Sequence, residues 1–352
     1  MAKFKLFVDQ YIPETFEQIS FNQTAAQQLI ACSKAIEIPH MILKGVEGSG
    51  RKTFATLFIK SKYHLEQLHT KYQTVAIKNG CKTIELQMLY SDYHYQIDPS
   101  LHGVYDRIII QGFVKDILQN CPINRTTPYH TVIINNADRL TVEAQQSLRR
   151  TLEKNISNCR FIFIVNQEST MIDSIVSRCI QIRLAAPMED QITRILEHIC
   201  QTEKIAYQVS QLQQIASIAK RNLLKAMNLL QYLRLVHVEF LNRNHPISWM
   251  GININDQYII MLAQQLMTLQ TPQEILRLRE TMYDLLVQCI DPVVVLKGIF
   301  EVIFAQVKHD SQKHQLVDLL IKCENTLKQG SKPIYHLECF CLGVVEILHV
   351  SQ

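Results

Sequence analysis

The hydrophobic positions in the first half of the chain form short apolar runs separated by longer amphipathic stretches. The runs are PHMILKG (39–45), VIIN (132–135), FIFIV (161–165) and IQIRL (180–184). Runs of this kind are typical of strands buried on both faces, and parallel sheets with helical crossovers require such strands. The pattern therefore predicts an α/β doubly wound domain, a parallel sheet with flanking helices, that ends near Pro187.

After Met188 the strand pattern disappears and helical periodicity takes over. Three helical stretches (189–203, 208–219 and 222–241) lead to a break at Pro246 and Gly251, where helix-terminating residues cluster. Residues 253–348 predict four or five further helices. We therefore expect three domains: an α/β domain at 1–187, a small helical domain at 188–246 and a helical C-terminal domain at 247–352.

The composition is that of a folded protein. Hydrophobic residues make up 47% of the 352 residues and charged residues 19%, which excludes collagen-like and wholly disordered classes. The apolar runs are shorter than the ~20 residues that cross a bilayer, and the first residues lack the apolar stretch of a secretory signal. We expect a soluble intracellular protein with no membrane partner.

The positions of the cysteines and of the charged residues give little information about function. The ten cysteines are scattered without a CxxC pair, so we expect no metal site. The formal net charge is +4, with a mildly basic first half and an acidic C-terminal part. This distribution is compatible with a polyanionic partner near the N-terminal end.

A glycine-rich loop, LKGVEGSGRKTF (43–54), follows the first predicted strand and opens a helix. Gly45 and Gly50 have the spacing of the phosphate-binding loop G-x-x-x-x-G-K-[ST], in which backbone N–H groups surround phosphates. Arg51 stands at the lysine position of that pattern and Lys52 at the Ser/Thr position that holds Mg²⁺, with Thr53 one residue later. The alternative is an ordinary glycine-rich strand–helix turn.

The strand VIINNADRL lacks the two carboxylates that a hydrolysing ATPase places at its end. Asn135 and Asn136 stand at those positions. An amide neither takes a proton from water nor contributes negative charge to Mg²⁺. These substitutions argue against hydrolysis in the chain's own site, and Asp138 is the only nearby candidate carboxylate that we find in the sequence.

Several motifs together resemble one family, the AAA+ clamp-loader small subunits, and most closely the replication factor C subunit whose own ATPase site is degenerate. In order along the chain, the motifs are FVDQYIP (7–13), PHMILKGVEGSGRKT (39–53), SDYHYQIDPSLHGVYDR (91–107), VIINNADRLTVEAQQSLRRTLEK (132–154), FIFIVN (161–166) and IVSRC (175–179). The resemblance implies an AAA+ core, a helical lid domain and an all-α collar domain that joins subunits.

The resemblance also implies a nucleotide site. Val8, Tyr11 and Pro13 fall where the family lines the adenine pocket, although Ile12 replaces its usual arginine. The residues that would surround the phosphates are Gly45, Gly48, Ser49, Gly50, Arg51, Lys52 and Thr53, and Asn166 matches the residue that senses the γ-phosphate. The implied cofactor is ATP or ADP, held without a well-bound Mg²⁺.

Arg178 in IVSRC matches the family's arginine finger, which reaches into the ATP site of a neighbouring subunit. By contrast, Leu224 occupies the position of the lid arginine that contacts the chain's own nucleotide. The alternative for Arg178 is an ordinary surface arginine in a salt bridge.

The resemblance further implies contacts with DNA and with a sliding clamp. Arg107, Arg149 and Arg150 are the candidates for DNA contacts, with solvated or paired surface arginines as the alternative. Residues 110–120 are the candidate clamp contact, with core packing as the alternative.

The leading hypothesis is a non-hydrolysing subunit of a hetero-pentameric clamp loader, which places a sliding clamp on primer–template DNA. One alternative is an active stand-alone AAA+ DNA-remodelling ATPase with Asp138 as its carboxylate. Another is a structural adaptor that binds no nucleotide. By analogy with the cellular family the protein acts in the nucleus, and a viral homologue would act at a cytoplasmic replication site.

Overall fold

The structure is a computed structural model that describes residues 5–35, 37–79, 82–119, 129–154, 159–236, 254–268, 272–288, 290–330 and 332–349. The chain divides into two compact units, residues 1–246 and 247–352. The predicted break at Pro246 and Gly251 and the predicted helical residues 237–241 lie outside the described residues. The expected subdivision of the first unit at residue 187 stays a prediction.

The first unit is built on a seven-stranded sheet with the order β2-β3-β4-β5-β6-β1-β7. The strands are β1 (Met41–Lys44), β2 (Lys71–Asn79), β3 (Lys82–Tyr90), β4 (His94–Ile97), β5 (His130–Ile134), β6 (Cys159–Val165) and β7 (Ile180–Arg183). Neighbours from β4 to β7 in this order pair in parallel, which confirms the predicted α/β class. β2 pairs antiparallel with β3, and β3 antiparallel with β4.

The sequence pattern did not predict β2, β3 or β4. β2 lies at the edge of the sheet, and most of its described side chains are exposed, with Tyr72 at 86%. An edge strand that is exposed in this way has no continuous apolar run, so hydrophobic periodicity cannot detect it.

Helices cover both faces of the sheet. They are α1 (Phe7–Gln10), α2 (Gln23–Lys34), α3 (Arg51–Tyr63), α4 (Asp106–Gln119), α5 (Val142–Lys154) and α6 (Asp173–Val176). Along β6, Phe161 and Phe163 pack in the cluster that contains α4 and α5, whereas Ile162 and Ile164 pack in the cluster that contains α2 and α3. Each such side chain stabilises the fold by about 1.5–3 kcal/mol through burial, so the buried strands β1, β5 and β6 hold the layers together.

Three further helices complete the first unit, and five form the described part of the second. The former are α7 (Glu189–Thr202), α8 (Val209–Ile218) and α9 (Leu223–Val236), and the latter are α10 (Ile254–Thr268), α11 (Pro272–Val287), α12 (Pro292–Gln306), α13 (Asp310–Gln329) and α14 (Pro333–His349). The second unit has its own apolar core. Among the described residues, no helix is both long enough and apolar enough to span a bilayer.

Candidate nucleotide-binding site

The glycine-rich loop lies between the end of β1 and the start of α3, as the sequence predicts. Gly48 and Gly50 both have φ of +81°, a backbone conformation that favours glycine. A Cβ on Gly45 would meet the carbonyl oxygen of Leu184. The backbone of the loop therefore lies close to the backbone at Leu184. The N–H groups at the start of α3, which have no partner within the helix, form an anion-binding helix N-terminus.

Ser49 closes the loop. Its side chain is fully buried, and its hydroxyl donates a hydrogen bond of 2.8 Å to the carbonyl oxygen of Val46. The backbone N–H of Ser49 donates to the same oxygen at 3.3 Å. Lys52 is exposed at the second position of α3, next to the partly buried Thr53.

Three polar atoms around the loop are buried without a hydrogen-bond partner among the described residues: Arg51 Nη1, Asp138 Oδ1 and Asn166 Oδ1. Desolvation lowers the pKa of Arg51, and the carboxylates of Asp138 and Glu47 counteract that effect. Asn166 directly follows β6, whose last residue, Val165, accepts a 3.2 Å hydrogen bond from Gly45 N. Buried polar groups are normally satisfied, so the unused donor of Arg51 beside a helix N-terminus fits a bound phosphate group. The two oxygens are acceptors, which pair with a donor and not with a phosphate oxygen.

Asn135 and Asn136 follow β5, and both side chains are engaged. Asn135 Oδ1 accepts a 3.2 Å hydrogen bond from Gln96 Nε2, and Asn136 Nδ2 donates a 2.6 Å hydrogen bond to Asp98 Oδ2. The other oxygen of Asp98 accepts from Ser100 Oγ at 2.5 Å. Asp138 is therefore not the only carboxylate near the two amides, because β4 and β5 are neighbours and bring Asp98 to the same edge of the sheet.

Val8, Tyr11 and Pro13 are partly buried in and after α1, whereas Ile12 is exposed. Burial, together with a 2.8 Å hydrogen bond to Glu203 Oε1, raises the pKa of Tyr11 to about 12. Tyr11 thus connects the candidate adenine pocket to Glu203, at the end of α7.

Glu203 joins α1 to α7 and α9. Its Oε1 also accepts from Gln10 Nε2 at 2.9 Å, and its Oε2 accepts from Arg234 Nη1 at 2.7 Å. The guanidinium of Arg234 lies 5.3 Å from the ring centroid of Phe7, within cation–π distance. Sequence reasoning missed this cluster, because Tyr11 is 192 residues from Glu203 in the chain.

The start of α9 contacts the glycine-rich loop. A Cβ on Gly48 would collide with the side chain of Asn222, whose Oδ1 accepts from Lys225 N at 3.1 Å. Leu224, at the expected position of a lid arginine, is half exposed. Arg221 has φ of +63° and donates hydrogen bonds to the carbonyl oxygens of Ala186 and Pro187.

Arg178 lies at the surface, between α6 and β7. Its side chain is 42% exposed, and its Nη2 is 2.9 Å from Glu153 Oε1. Its Nη1 donates a 2.6 Å hydrogen bond to the carbonyl oxygen of Ser174. The guanidinium is therefore accessible from outside the chain while it is paired within the chain.

Comparisons with known proteins identify the family of the chain. The chain is 31% identical over 350 residues to replication factor C subunit 5 of Oryza sativa subsp. japonica, which covers 97% of both proteins. It is 32% identical to replication factor C subunit 5 of Schizosaccharomyces pombe, in an alignment that covers 99% of this chain and 98% of the relative. It is 31% identical to replication factor C subunit 3 of Mus musculus, in an alignment that covers 95% of this chain and 94% of the relative. The chain belongs to the replication factor C family of clamp-loader subunits.

Two family models match separate parts of this replication factor C chain. The C-terminal domain of replication factor C subunit 3 matches residues 255–352, and the delta subunit of DNA polymerase III matches residues 21–188. A variant of RuvB from Thermotoga maritima has a similar fold, with a TM-score of 0.53, 13% identity, and coverage of 86% of this chain and 97% of RuvB. The AAA+ core and the helical C-terminal domain are confirmed.

The candidate DNA contacts of this family member are exposed arginines. Arg107 forms a 2.9 Å ion pair with Glu143, and Arg149 lies 3.9 Å from Glu153. Arg150 is exposed on the same helix as Arg149. Their proposed role in DNA binding stays a prediction.

The candidate clamp contact at 110–120 begins in the core. Ile110 and Phe113 are buried against the sheet, as the core-packing alternative requires. The side chains of residues 114–119 and the whole of residue 120 lie outside the description.

The stretch 91–107, one of the motifs that resemble the family, contains three buried polar residues, Ser91, His94 and Asp106. Ser91 Oγ is hydrogen-bonded to His94 Nδ1 at 2.5 Å, and burial lowers the pKa of His94 to about 4. Asp106, at the start of α4, accepts hydrogen bonds from the backbone N–H and the hydroxyl of Thr141, immediately before α5. The described contacts of this stretch therefore connect β3, β4, α4 and α5.

Proposed function

We propose that the chain is a non-hydrolysing subunit of a clamp loader that places a sliding clamp on primed DNA, and that it supplies Arg178 to the ATP site of a neighbouring subunit. The observation that carries the proposal is the pair Asn135 and Asn136, whose amides form side-chain hydrogen bonds where a hydrolytic site needs carboxylates.

Loss of hydrolysis follows from the chemistry of this edge of the sheet. Asp98, the nearest carboxylate to Asn136, already accepts hydrogen bonds at both oxygens and is poorly placed to accept a proton from water. Leu224 supplies no charge from α9. The carboxylates that would activate water and the lid arginine that would contact the phosphates are thus replaced by two amides and a leucine, which cannot do so.

Nucleotide binding is retained in this proposal. Backbone N–H groups of the loop and of the start of α3, the guanidinium of Arg51 and the amide nitrogen of Asn166 would donate hydrogen bonds to the phosphates of ATP or ADP. When bound, the nucleotide supplies a negative charge between the loop and α9. Because the residue types that bind Mg²⁺ are displaced or absent, binding does not depend on the metal.

Arg178 acts toward a neighbour. The ion pair of Arg178 with Glu153 is at the surface, and such pairs contribute about 0–1 kcal/mol. A phosphoryl group of a neighbouring site is a stronger partner for a guanidinium, because it accepts charge-assisted bidentate hydrogen bonds. Arginine fingers accelerate phosphoryl transfer by about 10³–10⁵-fold in comparable enzymes.

The partners follow from the family. Residues 247–352 would form the collar that joins the other subunits of a hetero-pentamer, and the subunit would act in the nucleus, as its eukaryotic relatives suggest. Arg107, Arg149 and Arg150 would contact phosphates of primer–template DNA, so their replacement should reduce the salt dependence of DNA binding without changing sequence preference.

The test measures ATP turnover in two preparations. The purified chain alone should show no turnover, and an assembled complex with Arg178→Ala should lose the turnover of the adjacent site. A complex with Arg194→Ala, an exposed arginine on α7, is the matched control. Unchanged turnover with Arg178→Ala would remove the proposed role of this residue.

A second candidate function is favoured by one observation, the buried and unpaired Oδ1 of Asp138 beside Arg51. If Asp138 is a catalytic carboxylate, the chain is a stand-alone ATPase. Robust turnover by the chain alone that Asp138→Asn abolishes would establish this function instead. Labelled ADP, titrated with and without EDTA, tests the remaining alternative, because no binding at millimolar concentration would indicate a structural adaptor.

A further inference from the structure

Helices α13 and α14 of the C-terminal unit pack tightly at one point. A Cβ built on Gly343 of α14 would lie 2.7 Å from Leu319 Cδ2 of α13. That distance is too short for a real Cβ, so the absence of a side chain at Gly343 permits the two helices to approach closely. The two helices lie in one apolar core and are consecutive along the chain.

Two cysteines lie one helical turn from this point. Cys323 is four residues after Leu319 on α13, and Cys339 is four residues before Gly343 on α14. In an antiparallel pair of helices in which Leu319 contacts Gly343, these spacings place Cys323 opposite Cys339. The Cys339 side chain is close enough to Cys323 to contribute to the raised pKa of Cys323. Helices whose axes are about 8–10 Å apart bring facing Cα atoms into the range of about 4.4–6.8 Å that disulfides require.

The two thiols differ in accessibility. Cys339 is exposed to solvent, whereas Cys323 is 3% exposed. Burial is the largest of the causes that raise the pKa of Cys323 to about 11, and the neighbouring Cys339 adds to it. An exposed thiol beside a buried one is the arrangement of an attacking and a resolving cysteine.

We propose that Cys323 and Cys339 form an oxidant-sensitive pair that closes to a disulfide between α13 and α14 when the protein meets a small-molecule disulfide. The Cys339 thiolate attacks one sulfur of glutathione disulfide, breaks its S–S bond, and releases one glutathione as thiolate. The Cys323 thiolate then attacks the Cys339 sulfur of the mixed disulfide and releases the second glutathione. Two protein thiols are oxidised, one glutathione disulfide is reduced, and both protons pass to the released thiolates or to solvent.

The consequence is a covalent connection within the C-terminal unit. The 323–339 link closes a short loop, which restricts the unfolded chain and increases the stability of the oxidised form. Cys341 is also near Cys323, because the two thiols interact electrostatically, but it is buried and offers no access to an oxidant. The exposed Cys339 therefore reacts first.

The experiment uses the purified full-length chain in glutathione buffers of increasing oxidising strength, with free thiols then blocked by iodoacetamide. The expected result is an intact mass with two fewer carbamidomethyl groups than the reduced and alkylated chain, and a tryptic peptide 323–328 linked to the peptide that contains Cys339. Cys339→Ser should abolish the link and Cys341→Ala should retain it. A glutathione adduct without a link in the wild type would overturn the proposal.

Cys339 is exposed, so the Cys339→Ser variant should fold, and circular dichroism verifies this. A second measurement does not depend on the variants, since the oxidised wild type should unfold at a higher temperature than the reduced protein, and reductant should reverse the difference. A link from Cys323 to Cys341, or an oxidised form that melts no higher than the reduced one, would contradict the proposed pairing.

Discussion

Arg178 and Glu153 are ion-paired at the surface of one chain, with Arg178 Nη2 2.9 Å from Glu153 Oε1. The same oxygen of Glu153 lies 3.9 Å from Arg149 Nε, one turn earlier on α5. A single carboxylate thus lies between the candidate arginine finger and a candidate DNA-binding arginine. The pair positions Arg178 without burying it, so a neighbouring phosphate could compete for its guanidinium.

The first prediction concerns this ion pair. In an assembled complex, Arg178→Lys should reduce ATP turnover at the adjacent site nearly as strongly as Arg178→Ala, because lysine lacks the planar fork that binds phosphate through two donors. Steady-state turnover of the reconstituted complex is the measurement.

Glu153→Gln distinguishes the ion pair of Arg178 with Glu153 from the proposed contact of Arg178 with a neighbouring subunit. It should retain turnover and change the free energy of unfolding by less than about 1 kcal/mol, since the pair is exposed. Loss of turnover in Glu153→Gln equal to that in Arg178→Ala would show that the ion pair itself, and not a contact with a neighbour, supports activity.

The second prediction concerns Gly48. Gly48→Ala should weaken the binding of labelled ADP and lower the free energy of unfolding by about 2–4 kcal/mol, because a side chain is strained at φ of +81° and would collide with Asn222. Urea denaturation and ADP titration measure the two effects.

Gly103 provides the matched control. It also has a positive φ, +54°, but a Cβ there meets no atom of the described residues within 4 Å. Gly103→Ala should lower the free energy of unfolding by about 1–3 kcal/mol, the strain of the backbone alone, and should leave ADP binding unchanged. If the two alanine variants have equal effects, the contact between the loop and Asn222 contributes nothing.

The third prediction concerns Glu203. Its carboxylate accepts hydrogen bonds from Gln10, Tyr11 and Arg234, and these interactions lower the pKa of Glu203. Glu203→Gln should lower the free energy of unfolding by about 1.5–3 kcal/mol, because the charge that strengthens these bonds is lost.

Tyr11→Phe removes one of the three bonds and should have a smaller effect, about 0.5–1.5 kcal/mol. Urea denaturation of both variants measures the difference. A Glu203→Gln variant as stable as the wild type would mean that α1 is held by apolar contacts alone.

The fourth prediction concerns pH. Burial lowers the pKa of both His40 and His94 from 6.5 to about 4. Below pH 6.5 the unfolded chain binds protons that the folded chain does not, so these two groups should reduce the free energy of unfolding as the pH falls from 6.5 to about 4. The reduction is at most about 1.4 kcal/mol per pH unit for each histidine.

Urea denaturation at several pH values between 4 and 7.5 measures this slope. His94→Asn should decrease the slope by at most about 1.4 kcal/mol per pH unit relative to the wild type, with stability compared at pH 7.5, where both histidines are largely neutral in the folded and unfolded chains. A variant with the wild-type slope would show that His94 makes no contribution to it.

Periodicity and spacing predicted the parts of the fold that depend on local pattern. β1, β5 and β6 were predicted because strands buried on both faces need apolar residues at successive positions. β7 was also predicted, but its expected burial on both faces was wrong, because β7 is an edge strand in which only Ile182 is buried. The glycine-rich loop was predicted because positive φ and close backbone approach favour glycine at Gly48 and Gly50. The edge strand β2 was missed, since an exposed strand carries no such pattern.

Residues distant in the chain decided the rest of the candidate site. Asp98 was not recognised as a partner of Asn136, because only the parallel pairing of β4 with β5 brings the two together. The attachment of Tyr11 to Glu203 was missed for the same reason. A hydrogen bond between side chains far apart in sequence leaves no periodic signal in either segment.

The sequence by itself determined the α/β class and the helical second half, because both depend on the local pattern of apolar residues. It also determined which residue types stand at the positions of the nucleotide-binding motifs, because these are read directly from the chain. Tertiary structure alone decided which of those groups are already engaged and which remain unpaired. Arg51, Asp138 and Asn166 have unpaired buried atoms, whereas Asn135 and Asn136 are hydrogen-bonded. The physical reason is that hydrogen bonding depends on distances of about 3 Å in space, which neighbouring strands and helices set and separation along the chain does not.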